Sequence, residues 1–154
     1  MINLSFEIPA PGSPWRTTWD DRIQADPKLV GEMDLRYKLF GVNVEMTIDD
    51  IEIISKKKFV TLVDLALSIS HATRRLSSGE DAAFGFTESA EVIRLHQDGD
   101  LISVSSSKHS WQVSLEREEL MEALTEFLRE AHSRLTEHLP ELAENPVIQR
   151  FSPK

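Results

Sequence analysis

Apolar and polar positions alternate along residues 2 to 8, where Ile2, Leu4, Phe6 and Ile8 share one parity, and this two-residue period predicts a first strand. Pro9, Pro11, Gly12 and Pro14 break it. The strand period returns at Leu35, with Leu35, Tyr37 and Leu39 on one parity and Val42, Val44, Met46 and Ile48 on the other. The parity changes at Phe40-Gly41, which predicts a bulge or bend within one long strand. Asp49-Asp50 then reads as the tight turn of a hairpin whose second strand is Ile51 to Ile54. From Thr61 to Ser77 the period lengthens to that of a helix. Leu62, Leu65, Ala66, Ile69, Thr73 and Leu76 define its inner face, and Val63 and Leu67 widen it. Thr61, with Asp64 three residues on, has the form of a capping box. Ser77-Ser78-Gly79 supplies the stop, glycine taking the left-handed position.

A second block of strand periodicity covers Phe84 to Thr87, Glu91 to Gln97, Asp100 to Ser105 and His109 to Leu115, with Asp98-Gly99 a hairpin turn between the middle two. The last strand, with Trp111, Val113 and Leu115 facing inward, runs into a helix over 116 to 139, for which Ser114 is the expected cap. Leu120, Leu124, Phe127, Leu128, Ala131, Leu135 and Leu139 form one apolar stripe on that helix, about six turns long. The order strands, helix, strands, helix, with short hairpin links, predicts an α+β fold. Its expected form is one antiparallel sheet of about seven or eight strands with two amphipathic helices packed on it. A single domain is expected over 1–154. Residues 1–34 are its less regular part: Trp15 to Lys28 reads as a loop or short helical piece whose two tryptophans cover a core edge or form a contact site. Residues 140–154 read as an irregular tail draped by Val147, Ile148 and Phe151.

Composition narrows the classes. The chain has 154 residues, 40% apolar and 28% charged, in the range of a globular domain able to bury a core. It has no cysteine, which excludes a disulfide framework, a thiolate nucleophile and a cysteine zinc site. The N-terminus lacks a basic start and an export-length apolar run, and no stretch approaches ~20 apolar residues, so a cytoplasmic location is expected. The net charge of −9 opposes nucleic acid and anionic membrane as partners and favours basic ones.

Candidate chemistry is sparse. His96, Asp98 and Asp100 in HQDGD are the best metal-like group, but the Asp98-Gly99 turn sends Asp100 along a different strand, and turn chemistry accounts for both turn residues. His109 stands among Ser105, Ser106, Ser107 and Ser110 without a nucleophile elbow. His71 and His132 fall on outer or flanking helix positions, and His138 sits near a helix C-terminus, where a cationic form suits the dipole. Adjacent acids such as Asp20-Asp21 and Asp49-Asp50 point apart and seldom make an acid/base pair. Lys56-Lys57-Lys58 reads as a solvated strand end, and with Arg74-Arg75 is the only basic cluster. Phosphate-binding glycine loops, paired zinc-ligand spacings and dinucleotide fingerprints are absent from the sequence. The expectation is a protein that is not an enzyme, with no catalytic, metal or cofactor-binding residue.

Charge patterning offers more. The polar face of the final helix carries Glu118, Glu119, Glu122, Glu126 and Glu130 against Arg117, Arg129 and Arg134. Glu118, Glu122 and Glu126 are four apart, and like charges at that spacing cost a helix a few tenths of a kcal/mol per pair. Either the cost is tolerated or a partner makes use of the acidic face. Asp49, Asp50 and Glu52 on the first hairpin form a rival acidic patch. These seven acids, Glu130 excluded, are the candidate partner-binding residues.

Taken together, VNVEMTIDDIEI, FVTLVDLALSI, FGFTESAEVIRL and SWQVSLEREELMEALTEFLREA resemble small bacterial immunity proteins. The pattern is similar to the family associated with the wall-associated toxin WapI and to a related set of actinobacterial domains. The shared features are a strand pair, an aromatic-led helix, a phenylalanine-rich strand, a hairpin and a last helix opened by an acidic leucine segment. The resemblance implies a cytosolic, non-enzymatic protein of contact-dependent or polymorphic toxin systems, which binds and neutralises a cognate toxin domain. It implies no catalytic residue or cofactor. An acidic surface suits a nuclease-like toxin, basic because its substrate is polyanionic. The alternatives are a structural or self-associating domain, and a small metal-dependent enzyme using His96, Asp98 and His109.

Overall fold

Two antiparallel sheets carry the strands, where one was expected. The computed structural model describes residues 1–20, 26–86 and 89–152, and leaves aside the side chains of Asp20, Lys56 and Lys57. The first sheet has the order β1 (Ile2–Glu7), β2 (Gly41–Ile48), β3 (Ile51–Thr61). The second has the order β4 (Ala82–Phe86), β5 (Ser89–Asp98), β6 (Leu101–Ser106), β7 (Gln112–Glu116). The short helices α1 (Thr17–Asp20) and α2 (Glu32–Tyr37) lie between β1 and β2. The long helix α3 (Leu62–Ser77) follows the first sheet, and α4 (Arg117–His138) and the short α5 (Pro146–Gln149) follow the second. The class is α+β. Helix α3 connects the two sheets, leading from β3 to β4. It packs on β4 and β3, while α4 packs on α3 and touches β1, β6 and β7. A single apolar cluster runs from Trp19 to Phe151 and includes residues of both sheets and both long helices.

The region expected to be strand from Leu35 is helix α2. Gly31 is its N-cap, Glu32 and Asp34 place negative charge in the first turn, and Arg36 pairs back to Glu32 at 2.9 Å. Leu35 is fully buried, so its apolar character serves the core from a helix. The parity break at Phe40-Gly41 marks the passage from helix to strand, with Phe40 at φ 57, and not a bulge within one strand. The register irregularities fall instead opposite Met46, and the extra residues are on β3: Val44 pairs with Lys58, Met46 with Ile54 and Thr47 with Glu52. The Asp49-Asp50 turn forms as expected. Both residues have positive φ, 47° and 73°, the type I′ geometry that aspartate tolerates. β3 then continues past Ile54 to Thr61, so the lysine run lies within the strand and not at its end. The strand predicted to reach Thr87 is described to Phe86; Thr87, like Asp21 of the Asp20-Asp21 pair, lies outside the described residues.

Helix α3 buries Leu62, Leu65, Ala66, Ile69 and Leu76 as its spacing predicts, but the capping box does not form. The Thr61 hydroxyl donates to the Arg36 carbonyl, and Asp64 accepts from Arg36 at 2.8 and 2.7 Å. Tertiary partners from α2 have taken both capping groups. Gly79, at φ 80, ends the helix, its amide and that of Glu80 reaching back to Leu76 and Arg75. In α4 the stripe Leu120, Leu124, Phe127, Ala131 and Leu135 is buried, Leu128 is half-buried, and Leu139 has left the helix as its C-cap. The N-cap is Glu116, without a side-chain bond, because Ser114 still belongs to β7.

The tail is not irregular. A 3-10 turn over Pro140–Glu144 leads into α5, and Leu142, Val147, Ile148 and Phe151 are buried. Asn145 organises the segment. Its Oδ1 accepts from the Val147 amide at 2.9 Å, and its Nδ2 donates to the carbonyls of Pro27 at 2.9 Å and Val30 at 3.0 Å. The two tryptophans differ in burial. Trp19 is buried and donates to the Gly41 carbonyl at 2.8 Å, whereas Trp15 is exposed, its ring 4.7 Å from that of Phe59.

Candidate interaction surface

The seven candidate acids lie on two elements far apart in sequence, and the first sheet brings them together. β1 pairs with β2 so that Ile2 faces Ile48, and the Asp49 amide donates to the Met1 carbonyl at 2.9 Å. The start of β1 therefore sits against the β2–β3 turn. α4 packs on β1 and carries its own acids to the same place: the Met1 amino group contacts Asp49 and lies 3.7 Å from the Glu119 carboxylate. The hairpin and the helix face are parts of one surface and not rivals. A groove of about 480 Å³ runs along α4 beside the start of β1, lined by Ile2, Glu119, Glu122, Ala123, Thr125, Glu126 and Arg129.

Glu118, Glu122, Asp50 and Glu52 are exposed and have no side-chain partner among the described residues, and Asp49 is exposed beside the Met1 amino group. Glu126 pairs with Arg129, and Glu130 with Arg134 at 3.6 Å. Arg117 leaves the helix face altogether. Its guanidinium donates to the Leu76 carbonyl at the C-terminal end of α3, at 2.7 Å, and its Nε is buried without a partner. The first two turns of α4 thus lose the arginine that sequence spacing placed there, and the face is more negative than its composition implies.

The histidines take other roles. His96 Nδ1 lies 2.7 Å from Asp81, whose second oxygen accepts from the Gln97 amide at 2.9 Å. The amide and His96 hold the Asp81 carboxyl below its usual range, and the Asp81 carboxylate in turn raises the His96 pKa. Asp98 and Asp100 do not join them: β5 ends at Asp98, and the chain turns through Gly99 and Asp100 into β6. Among the described residues no three His, Asp or Glu side chains are grouped to hold a metal ion. His109 stacks on Trp111 and reaches Glu91 at 3.5 Å. Ser106 donates to that same Glu91 at 2.6 Å, so its hydroxyl proton is directed to a carboxylate and not to the imidazole. Asp81 and Glu91 were not legible as partners, since strand pairing across 15 residues joins them to their histidine and serine. His71 is exposed, as its helix position predicts. Burial lowers the His132 pKa, and its ring stands edge-on to Phe151. His138 bonds the Trp19 carbonyl at 2.6 Å, fastening the end of α4 to the N-terminal segment.

In searches of known protein families, curated proteins and solved structures, nothing matches this chain. No helix of the described residues is long and apolar enough to cross a membrane.

Proposed function

We propose that this chain is an immunity-type inhibitor, a non-catalytic cytosolic protein that binds and neutralises a basic, nuclease-like toxin domain. The observation that carries the reading is the meeting of α4 and the β2–β3 turn at Met1, which gathers seven carboxylates, four of them exposed and without a side-chain partner among the described residues. Carboxylates kept at four-residue spacing cost the free protein a little stability, and a cationic partner removes that cost on binding. Charge of this kind acts mainly on encounter, raising association rates with oppositely charged partners, and rate matters for an inhibitor that must reach a toxin before its substrate does. The resemblance of residues 42–130 to immunity proteins supports the same reading.

The test is co-expression with the C-terminal domain of a large secreted protein encoded beside this gene. Cells carrying both should survive, and the two proteins should purify as a complex. The absence of such a neighbour, or death of cells that make both proteins, contradicts the reading. His96→Ala and His109→Ala should leave protection intact, because His96 is engaged by Asp81 and His109 by Glu91, and neither belongs to the acidic surface.

A further inference from the structure

The molecule carries its cations as unevenly as its acids. A second groove, of about 380 Å³, is walled by α3, α4 and the segment after α5, and three arginines from those three elements line it: Arg74, Arg129 and Arg150. Ser70, Thr73, Thr125 and Ser152 complete its polar lining, with Leu128 and Phe151 beside them, and no acidic residue lines it. In a chain with 17 basic and 26 acidic residues, three guanidinium groups around one concavity without a carboxylate is the reverse of the overall balance.

The three arginines keep most of their donors uncommitted. Arg74 is exposed, and its side chain has no partner among the described residues. Arg150 gives one nitrogen to Glu32 at 2.9 Å, and Arg129 gives one to Glu126; both carboxylates lie outside the groove. A guanidinium has five N–H donors, so a single carboxylate leaves most of them available. The Thr125 hydroxyl is also without a partner, whereas Thr73 donates to the Ser70 carbonyl at 2.8 Å. Like charges held together by separate elements repel one another, and an anion seated among them relieves that repulsion while accepting several charge-assisted hydrogen bonds.

We propose that this groove is a binding site for a phosphate group, borne by a free phosphate ion or by a small phosphomonoester. Tetrahedral oxygens match donors arriving from three walls, and arginine is the side chain suited to phosphate recognition. The proposal does not depend on the inhibitor reading, since the groove lies on the other side of Arg129 from the acidic one. Arg129 and Thr125 line both grooves, so Glu126 competes with a bound anion for Arg129.

Isothermal titration calorimetry of the full chain at low ionic strength, with inorganic phosphate and with phenyl phosphate, tests it. One site per chain is expected. Arg74→Ala, which removes a side chain without an internal partner and should keep the native circular dichroism spectrum, should weaken binding roughly tenfold, the effect of one charge-assisted bond. Arg129→Ala should do the same, and Glu126→Gln should tighten binding several-fold by releasing Arg129. Tighter binding of phenyl phosphate assigns the site to an organic ester lying against Leu128; equal affinity assigns it to the free ion. No saturable binding by the native chain, or equal affinity in Arg74→Ala and Glu126→Gln, overturns the proposal.

Discussion

Replacing Asn145 should unfasten the C-terminal segment from the N-terminal one. Asn145 is fully buried and makes three bonds, one capping α5 and two holding the carbonyls of Pro27 and Val30. At about 1 kcal/mol net per bond, Asn145→Ala removes about 3 kcal/mol. Water reaching the half-buried Pro27 carbonyl lowers this to about 2, and an orphaned buried donor raises it to about 4. Against a typical stability of about 5–15 kcal/mol this is a large fraction, visible in urea unfolding and as a fall in melting temperature of roughly 5–15 °C. Asn145→Asp separates the contributions. It keeps the acceptor for Val147 but turns a carboxylate toward two carbonyl oxygens, so at neutral pH it should be at least as damaging as alanine. The introduced carboxyl is pushed above its ordinary pKa, so the variant is most stable below that ordinary value and loses stability as pH rises through the raised one. Gln149→Ala, an exposed change on α5, is the control. A loss for Asn145→Ala below about 0.5 kcal/mol, the range of surface substitutions, refutes the reasoning.

Leu124→Ala should cost about 3–5 kcal/mol by chemical denaturation, because Leu124 is fully buried where α4 meets α3 and the sheets; a change near zero means the helix faces are misassigned. In NMR titrations His96 should titrate above its ordinary 6.5 and His132 below it, and Asp81→Asn should return His96 toward the ordinary value. The raised His96 contributes stability that is complete below 6.5 and lost as pH rises through its folded pKa. The lowered His132 contributes stability present above 6.5 and lost as pH falls through its folded pKa. Coincident titration of the two rings contradicts both environments.

Elements set by local periodicity were legible in the sequence: β1, the Asp49-Asp50 turn, α3, the stripe of α4 and the hairpin of β5 and β6, whose turn falls at Gly99-Asp100, one residue beyond the expected Asp98-Gly99. What was misread depended on distant partners. Leu35, Tyr37 and Leu39 alternate as a strand does, yet Gly31, an acidic first turn and burial of Leu35 make the segment helix. Thr61 and Asp64 have capping chemistry, but Arg36 draws both away. The prolines after residue 139 suggested an irregular tail, whereas Pro140 and Pro146 open short helical turns, a position that tolerates their missing N–H. The acids of the candidate surface were visible one by one. Their convergence was not, because it depends on the pairing of β1 with β2 and on Arg117 turning away to Leu76.

The central claim, that the surface of α4 and the β2–β3 turn receives a basic toxin, is tested most directly by association kinetics. Glu118→Lys with Glu122→Lys reverses two acids that have no internal partner, so the fold should lose little stability. Binding to the purified toxin domain is followed by stopped flow at low and high salt. The expected on-rate is slowed roughly tenfold or more at low salt, with a flattened salt dependence and convergence with the native rate at high salt. An on-rate and salt dependence equal to those of the native protein would contradict it.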